Sequence, residues 1–341
     1  MRRVAIQGSA WALVDGPEAA AAPDEALVRV TRAALVPREL ARCRAAGGRF
    51  IPGREFVGVV VQGPAHWVNK RIVSGAAVTC AECDLCRAGL STHCRARKEL
   101  GVGRDGGLAE RIVLPIGALT EIPRTLEDER AIFAPVLARV LHAAQFVRVE
   151  GKPFVTVVGD GAMGLLAAQV MTQRNASVRV LGREPARFGL SEKWGVKHRH
   201  IDEVGRRGDQ DLVFVCSDAP GDLEAALRLA RPRATVLLLS DAAPATETST
   251  VLELLHNSEI SLIGCRGERL AEAVRLLGAD LVDVRSLLTS RHKPLRLGDA
   301  IAAAERPESV RVVLEFADEG QKKAGPNPNN AACSGLSSPR C

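Results

Sequence analysis

Phe154-Val155-Thr156-Val157-Val158 leads directly into Gly159-Asp160-Gly161-Ala162-Met163-Gly164, and that into Leu165-Leu166-Ala167-Ala168-Gln169-Val170. The first run has the composition of a strand buried on both faces, and the last that of an apolar helix. Between them lies G-x-G-x-x-G in the setting that gives the pattern its chemistry. Gly159 permits a tight turn, Gly161 lets the backbone approach a pyrophosphate, and Gly164 lets the helix pack on the strand. The anion then rests on free N–H groups of Gly161, Ala162 and Met163 at the positive end of the helix. The bland alternative is a strand–helix turn that binds nothing.

Outward from this turn, strand and helix alternate. Helical spacing covers Ala131 to Val149, and strands are expected at Val178–Leu181, Leu212–Val215, Thr235–Leu239 and Ile260–Ile263. Helices fall around Leu190, over Leu223–Leu229 and over Glu268–Leu277. Such a succession predicts a doubly wound parallel sheet with helices on both faces. Before Asp128 the chain is different: Ala26–Val30, Phe56–Val61, Arg71–Val73 and Glu110–Leu114 are short strands with Gly and Pro between them, as in a small barrel. Beyond Leu287 the character turns β again, and Val310–Phe316 is expected to return to the first unit. From Asp318 to Cys341, Gly, Lys, Pro, Asn and Ser dominate, so residues 318–341 are expected to be a disordered tail holding Cys333 and Cys341.

At about 150 residues per domain, 341 residues suit two units. A hydrophobic fraction of 46% with 25% charged residues excludes global disorder. No apolar run is long enough for a membrane span, and the N-terminus reads as a strand rather than a secretory signal, so a cytoplasmic location is expected. The 46 basic and 40 acidic side chains leave a charge of +6, but the basic residues are mostly Arg scattered among acids. Aromatics are only 3%, which leaves few stacking platforms, so no nucleic-acid partner is expected.

Four of the nine cysteines crowd together as Cys80-x2-Cys83-x2-Cys86-x7-Cys94. Four thiolates satisfy a tetrahedral Zn²⁺ and leave no position for water, so one structural zinc is expected. An iron–sulfur cluster and four unliganded thiols are the alternatives. The cofactor is chosen about 20 residues past the glycine turn, at the end of the next strand. There Gly182-Arg183 stands in place of an acid, so Arg183 is expected to pair with a 2′-phosphate and favour NADP over NAD.

With these motifs in place, the chain resembles the zinc-type alcohol dehydrogenases of the medium-chain dehydrogenase/reductase superfamily. The resemblance spans about Met1 to Phe316 and includes Pro52-Gly53-Arg54-Glu55-Phe56-Val57-Gly58. It implies a two-domain α/β fold: a GroES-like β-rich barrel domain over 1–128 with a return segment at 287–317, and a Rossmann domain over 129–286. It also implies a small-molecule substrate bound in the cleft between them, and a homodimer or homotetramer.

The departures bear on the chemistry. Relatives with a catalytic zinc carry Cys-Gly-x-Asp where this chain has Val36-Pro37-Arg38-Glu39, and Gly-His-Glu where it has Gly53-Arg54-Glu55. Their third ligand aligns near Pro135. Val36, Arg54 and Pro135 thus replace three ligands, and Glu55 alone cannot hold a metal. Cys43 and His66 fall at no ligand position, and His142 reads as a packed or solvated histidine. Two functions remain: zinc-independent hydride transfer with NAD(P)H, with Arg54 and Glu55 as catalytic candidates, or a catalytically inactive nucleotide-binding relative with a regulatory role.

Overall fold

The computed structural model describes residues 1–7, 10–205, 207–240 and 247–316, so the expected tail with Cys333 and Cys341 lies outside the described residues. Strand Glu25–Leu35 organises the N-terminal part. One edge pairs antiparallel with Phe56–Gln62; the other pairs with Arg111–Pro115 near its start and with Arg311–Glu315 near its end. Register shifts at Leu27/Val28 and Val30/Arg32 let so long a strand bend. The seven-stranded sheet runs Leu288–His292, Arg311–Glu315, Glu25–Leu35, Phe56–Gln62, Arg71–Ser74 and Leu119–Glu121, with Arg111–Pro115 off this path. The C-terminal strand therefore returns to the first sheet. It also gains a parallel neighbour, Leu288–His292, joined to it through helix Leu297–Ala304.

The second sheet has six parallel strands in the order Lys197–His200, Ser177–Gly182, Phe154–Val158, Gln210–Val215, Ala230–Leu238 and Ser261–Gly264. The order reverses beside Phe154–Val158, which places a ligand crevice at the carboxyl ends of that strand and of Gln210–Val215. Two local expectations change. Lys197–His200 was not expected as a strand, because Lys-His-Arg-His shows no apolar alternation; as an edge strand it buries only His198. The helix expected over Ala131–Val149 is a single turn at Asp128–Ala131 followed by Ala134–Ala144, with Pro135 in its first turn.

Apolar packing joins the two units. Val28, Val30, Phe56, Ile72 and Leu314 fill the barrel interior. Ala34, Val57, Val73 and Val313 point to the other face and join the core built on Phe133, Val136, Leu137, Val157 and Leu165. The alternation of side chains along Phe56–Gln62 and Arg311–Glu315 thus serves two cores, one on each face. Among the described residues no helix is long and apolar enough to cross a membrane.

Candidate active site and metal centre

A cleft of about 320 Å³ opens where the glycine turn faces the barrel sheet. Gly159, Gly161, Ala162 and Met163 line one side; Val36, Arg54, Glu55 and Pro135 line the other. Gly159 has φ +111°, and a Cβ there would lie 3.0 Å from the backbone of Cys216 and Ser217. At Gly164 a Cβ would lie 1.9 Å from the Gly159 carbonyl oxygen, so only glycine lets helix Ala162–Gln173 start this close to its strand. At Gly161 a Cβ would meet nothing within 4 Å, and no side chain caps the helix. The turn thus has open space in front of unclaimed N–H groups, which fits a pyrophosphate.

Asp160, inside the turn, folds back towards the next strand. Its carboxylate accepts the Glu184 N–H at 3.1 Å and Arg187 Nη1–H at 3.3 Å. Burial opposes its ionisation, but His198, the Glu184 amide and Arg187 outweigh burial and hold its carboxyl below the usual range. Arg183 lies outside the main cleft, in a neighbouring cavity of about 200 Å³ that also contains Asp202 and Asp222. Its Nη1 and Nη2 donate to the buried Asp222 carboxylate at 2.9 and 2.5 Å. That bidentate pair raises the Arg183 pKa.

The three positions at which the resemblance led us to expect replaced metal ligands converge. Val36, Arg54 and Pro135 all line the cleft, and none of these side chains suits a zinc. Arg54 Nε lies 3.9 Å from Glu39 Oε1. The buried Glu39 carboxylate also accepts the Gly53 N–H at 2.7 Å. Burial pushes its carboxyl up to about 7, although Arg54 pulls the other way. Glu55 is engaged elsewhere: its Oε2 sits 3.2 Å from Nη2 of Arg311 on the return strand. Arg311 in turn lies over the Phe133 ring, 5.9 Å from its centroid.

The four clustered cysteines form the one group of three or more metal-ligating side chains among the described residues. Ala81 adopts φ +62° between the first two, helix Asp84–Arg87 carries Cys86, and a 3-10 turn at Ser91–His93 delivers Cys94. The Sγ atoms lie 4.0 Å (Cys80–Cys86), 4.0 Å (Cys83–Cys94) and 3.5 Å (Cys80–Cys94) apart. A tetrahedral zinc with bonds near 2.3 Å needs sulfurs about 3.8 Å apart, so the donor set fits. Cys83 N–H and Cys80 N–H point at Cys80 Sγ and Cys94 Sγ, each at 3.4 Å, as amides do that stabilise thiolates.

Cys43 and His66 lie outside the cleft lining, and His142 packs edge-on to Phe146 at 5.1 Å. Sequence reasoning missed Ser217, Ser240 and Glu268, each of which follows the carboxyl end of a parallel strand and lines the cleft. Position at those strand ends was the available signal. Arg139, on helix Ala134–Ala144, had none.

The family model for the alcohol dehydrogenase GroES-like domain matches residues 22–124. Sorbitol dehydrogenase of Halalkalibacterium halodurans is 26% identical over 282 residues, which is 77% of this chain and 82% of the relative. The fold matches a thermostable alcohol dehydrogenase from Pyrobaculum aerophilum with a TM-score of 0.82 at 23% identity, covering 93% of this chain and 99% of that one. It also matches galactitol-1-phosphate dehydrogenase from Escherichia coli with a TM-score of 0.81 at 22% identity, covering 93% and 100%. Residues 22–124 thus match the alcohol dehydrogenase GroES-like domain, and the chain as a whole is similar in sequence to sorbitol dehydrogenase and in fold to alcohol and polyol dehydrogenases.

Proposed function

We propose that the chain is an NAD(P)H-dependent oxidoreductase that moves a hydride to or from a small carbonyl, alcohol, quinone or enone without a catalytic zinc. The carrying observation is one cleft in which an open glycine turn faces Val36, Arg54 and Pro135. Hydride transfer needs chiefly a placed nicotinamide and a cleft that excludes water. The assigned roles are Gly159, Gly161, Ala162, Met163 and Gly164 for the cofactor, Arg54 as donor to the substrate oxygen, and Cys80, Cys83, Cys86 and Cys94 for one structural zinc. Glu55 orients the return strand through Arg311 rather than touching substrate.

NADP is favoured over NAD. Asp222 grips Arg183 end-on through both terminal nitrogens, which leaves the guanidinium's side edge, Nε–H with one Nη–H, for a 2′-phosphate. The protein works in the cytoplasm as a homodimer or homotetramer. The competing reading, a nucleotide-binding relative without turnover, is favoured by the contact of Arg54 with Glu39, which fills the old metal position with an ion pair. Titration with NADPH and NADH, followed by a carbonyl and quinone panel, decides between them. Tight NADPH binding with turnover supports the enzyme; binding with no turnover supports the inactive relative.

A further inference from the structure

We propose that Glu268 is the proton-transfer residue of the cleft, giving a proton to the oxygen of a carbonyl substrate during reduction and taking one from an alcohol in the reverse direction. The proposal rests on the functional reading above. A nicotinamide bound in the cleft supplies the hydride; nothing in that reading yet supplies the proton. The carbonyl carbon gains the hydride and its electron pair, and the C=O π pair moves to oxygen. That oxygen takes the proton of the Glu268 carboxyl, and the reduced cofactor leaves oxidised. Water returns a proton to the carboxylate.

Three observations select this residue. Glu268 lines the cleft and also a cavity of about 450 Å³ under the cysteine lobe, and among the described residues it is the one member common to both linings. It therefore connects the reaction space to a polar chamber with Thr79, Ser91 and Thr92 on its walls. Second, the carboxylate is fixed in place. Both oxygens accept the Ala76 N–H, at 3.2 and 3.1 Å, and a Cβ at Gly75 would lie 2.4 Å from Oε2. Its loop is tied at both ends, by Cys265 N–H to the Leu238 carbonyl and Arg269 N–H to the Ala138 carbonyl.

Third, the other carboxylates of the cleft are committed to guanidinium groups: Glu55 to Arg311 and Asp160 to Arg187. Glu268 is held by a neutral donor, the Ala76 N–H. Burial pushes its carboxyl up, with the Ala76 amide, Arg139, Arg97 and Arg54 opposing. Those groups face it from the barrel loop, helix Ala134–Ala144 and the cysteine lobe. On its own loop, Arg266 is held by Glu99, and Gly267 meets the His142 ring. The net result is a carboxyl that keeps its proton to higher pH than an ordinary glutamate, as an acid catalyst needs.

The test compares unmutated protein with Glu268→Gln and Glu268→Asp. Carbonyl reduction is followed from pH 5 to 9, NADPH affinity by titration, and protonated carboxyl by infrared difference spectroscopy without cofactor. Glu268→Gln should lose on the order of 100-fold in turnover. It should also lose a protonated-carboxyl band that in the unmutated protein persists above the ordinary carboxyl range, and keep NADPH affinity within about twofold, which excludes misfolding. Glu268→Asp should restore part of the rate with a displaced pH limb. Turnover in Glu268→Gln equal to the unmutated rate, or no band difference between the two, would overturn the proposal alone. An unmutated protein that binds NADPH but reduces nothing would overturn the functional reading and this proposal with it.

Discussion

Replacing Glu39 with Gln should remove a pH dependence from the stability of the fold. The Glu39 side chain is nearly sealed off, at 4% exposure, and receives the Gly53 N–H with Arg54 close by. Burial lifts its carboxyl from the ordinary 4.5 to about 7. An acid raised in this way holds its proton more tightly folded than unfolded. Its contribution is therefore complete below pH 4.5 and is lost as pH rises through about 7. At about 1.4 kcal/mol for each pH unit between the two values, the loss comes to about 3 kcal/mol. Gln occupies the same space, keeps an acceptor for Gly53, and has no proton to lose. Thermal unfolding of both proteins at steps from pH 4.5 to 8.5 should give similar midpoints at the acid end. The midpoints should diverge steadily towards pH 7.5, with Glu39→Gln the more stable by several degrees. Parallel curves, or a gap that widens as pH falls, would refute the reasoning.

Cys83→Ser should lose the bound zinc and open the segment around residues 80–97 to protease, because the site needs four thiolates; metal analysis showing an undiminished equivalent would count against the assignment. Arg183→Ala should weaken NADPH binding by 1–3 kcal/mol, roughly 5- to 150-fold, and change NADH binding by less than about twofold; equal affinities in the unmutated protein would reject the role. Arg54→Ala should lower turnover on the order of 100-fold with NADPH binding intact, and a variant as active as the parent would leave Arg54 as a structural partner of Glu39 only.

The glycine turn and the cysteine lobe were legible because each is contiguous and its spacing is the chemistry. The run from strand Phe154–Val158 through the turn to Gly164 needed no partner from elsewhere to be read. The partners of the candidate residues were not legible. Arg183 and Asp222 are 39 positions apart, and they meet because Ser177–Gly182 and Gln210–Val215 flank Phe154–Val158 in the sheet and the turns after them converge. Glu55 meets Arg311 because the last strand pairs antiparallel with Glu25–Leu35; its return to the first unit was expected from the sequence, but not its partner strand or its register. Of Glu39 and Glu55, sequence reasoning could not choose the partner of Arg54; the Gly53 turn places Glu39 beside it and leaves Glu55 to Arg311. Lys197–His200 escaped notice because an edge strand needs little apolar surface. Glu268 gave only the weak signal of its place after a strand, since a lone acid there is ordinary until Gly75 and Ala76 are seen to receive it.

Zinc should be counted per chain on the same sample that oxidises NADPH in the presence of a carbonyl or quinone. The account predicts one zinc, lost with Cys83→Ser, and measurable turnover in the unmutated protein. A second tightly bound zinc in the active protein, or one zinc and bound NADPH with no turnover of any substrate, would contradict it.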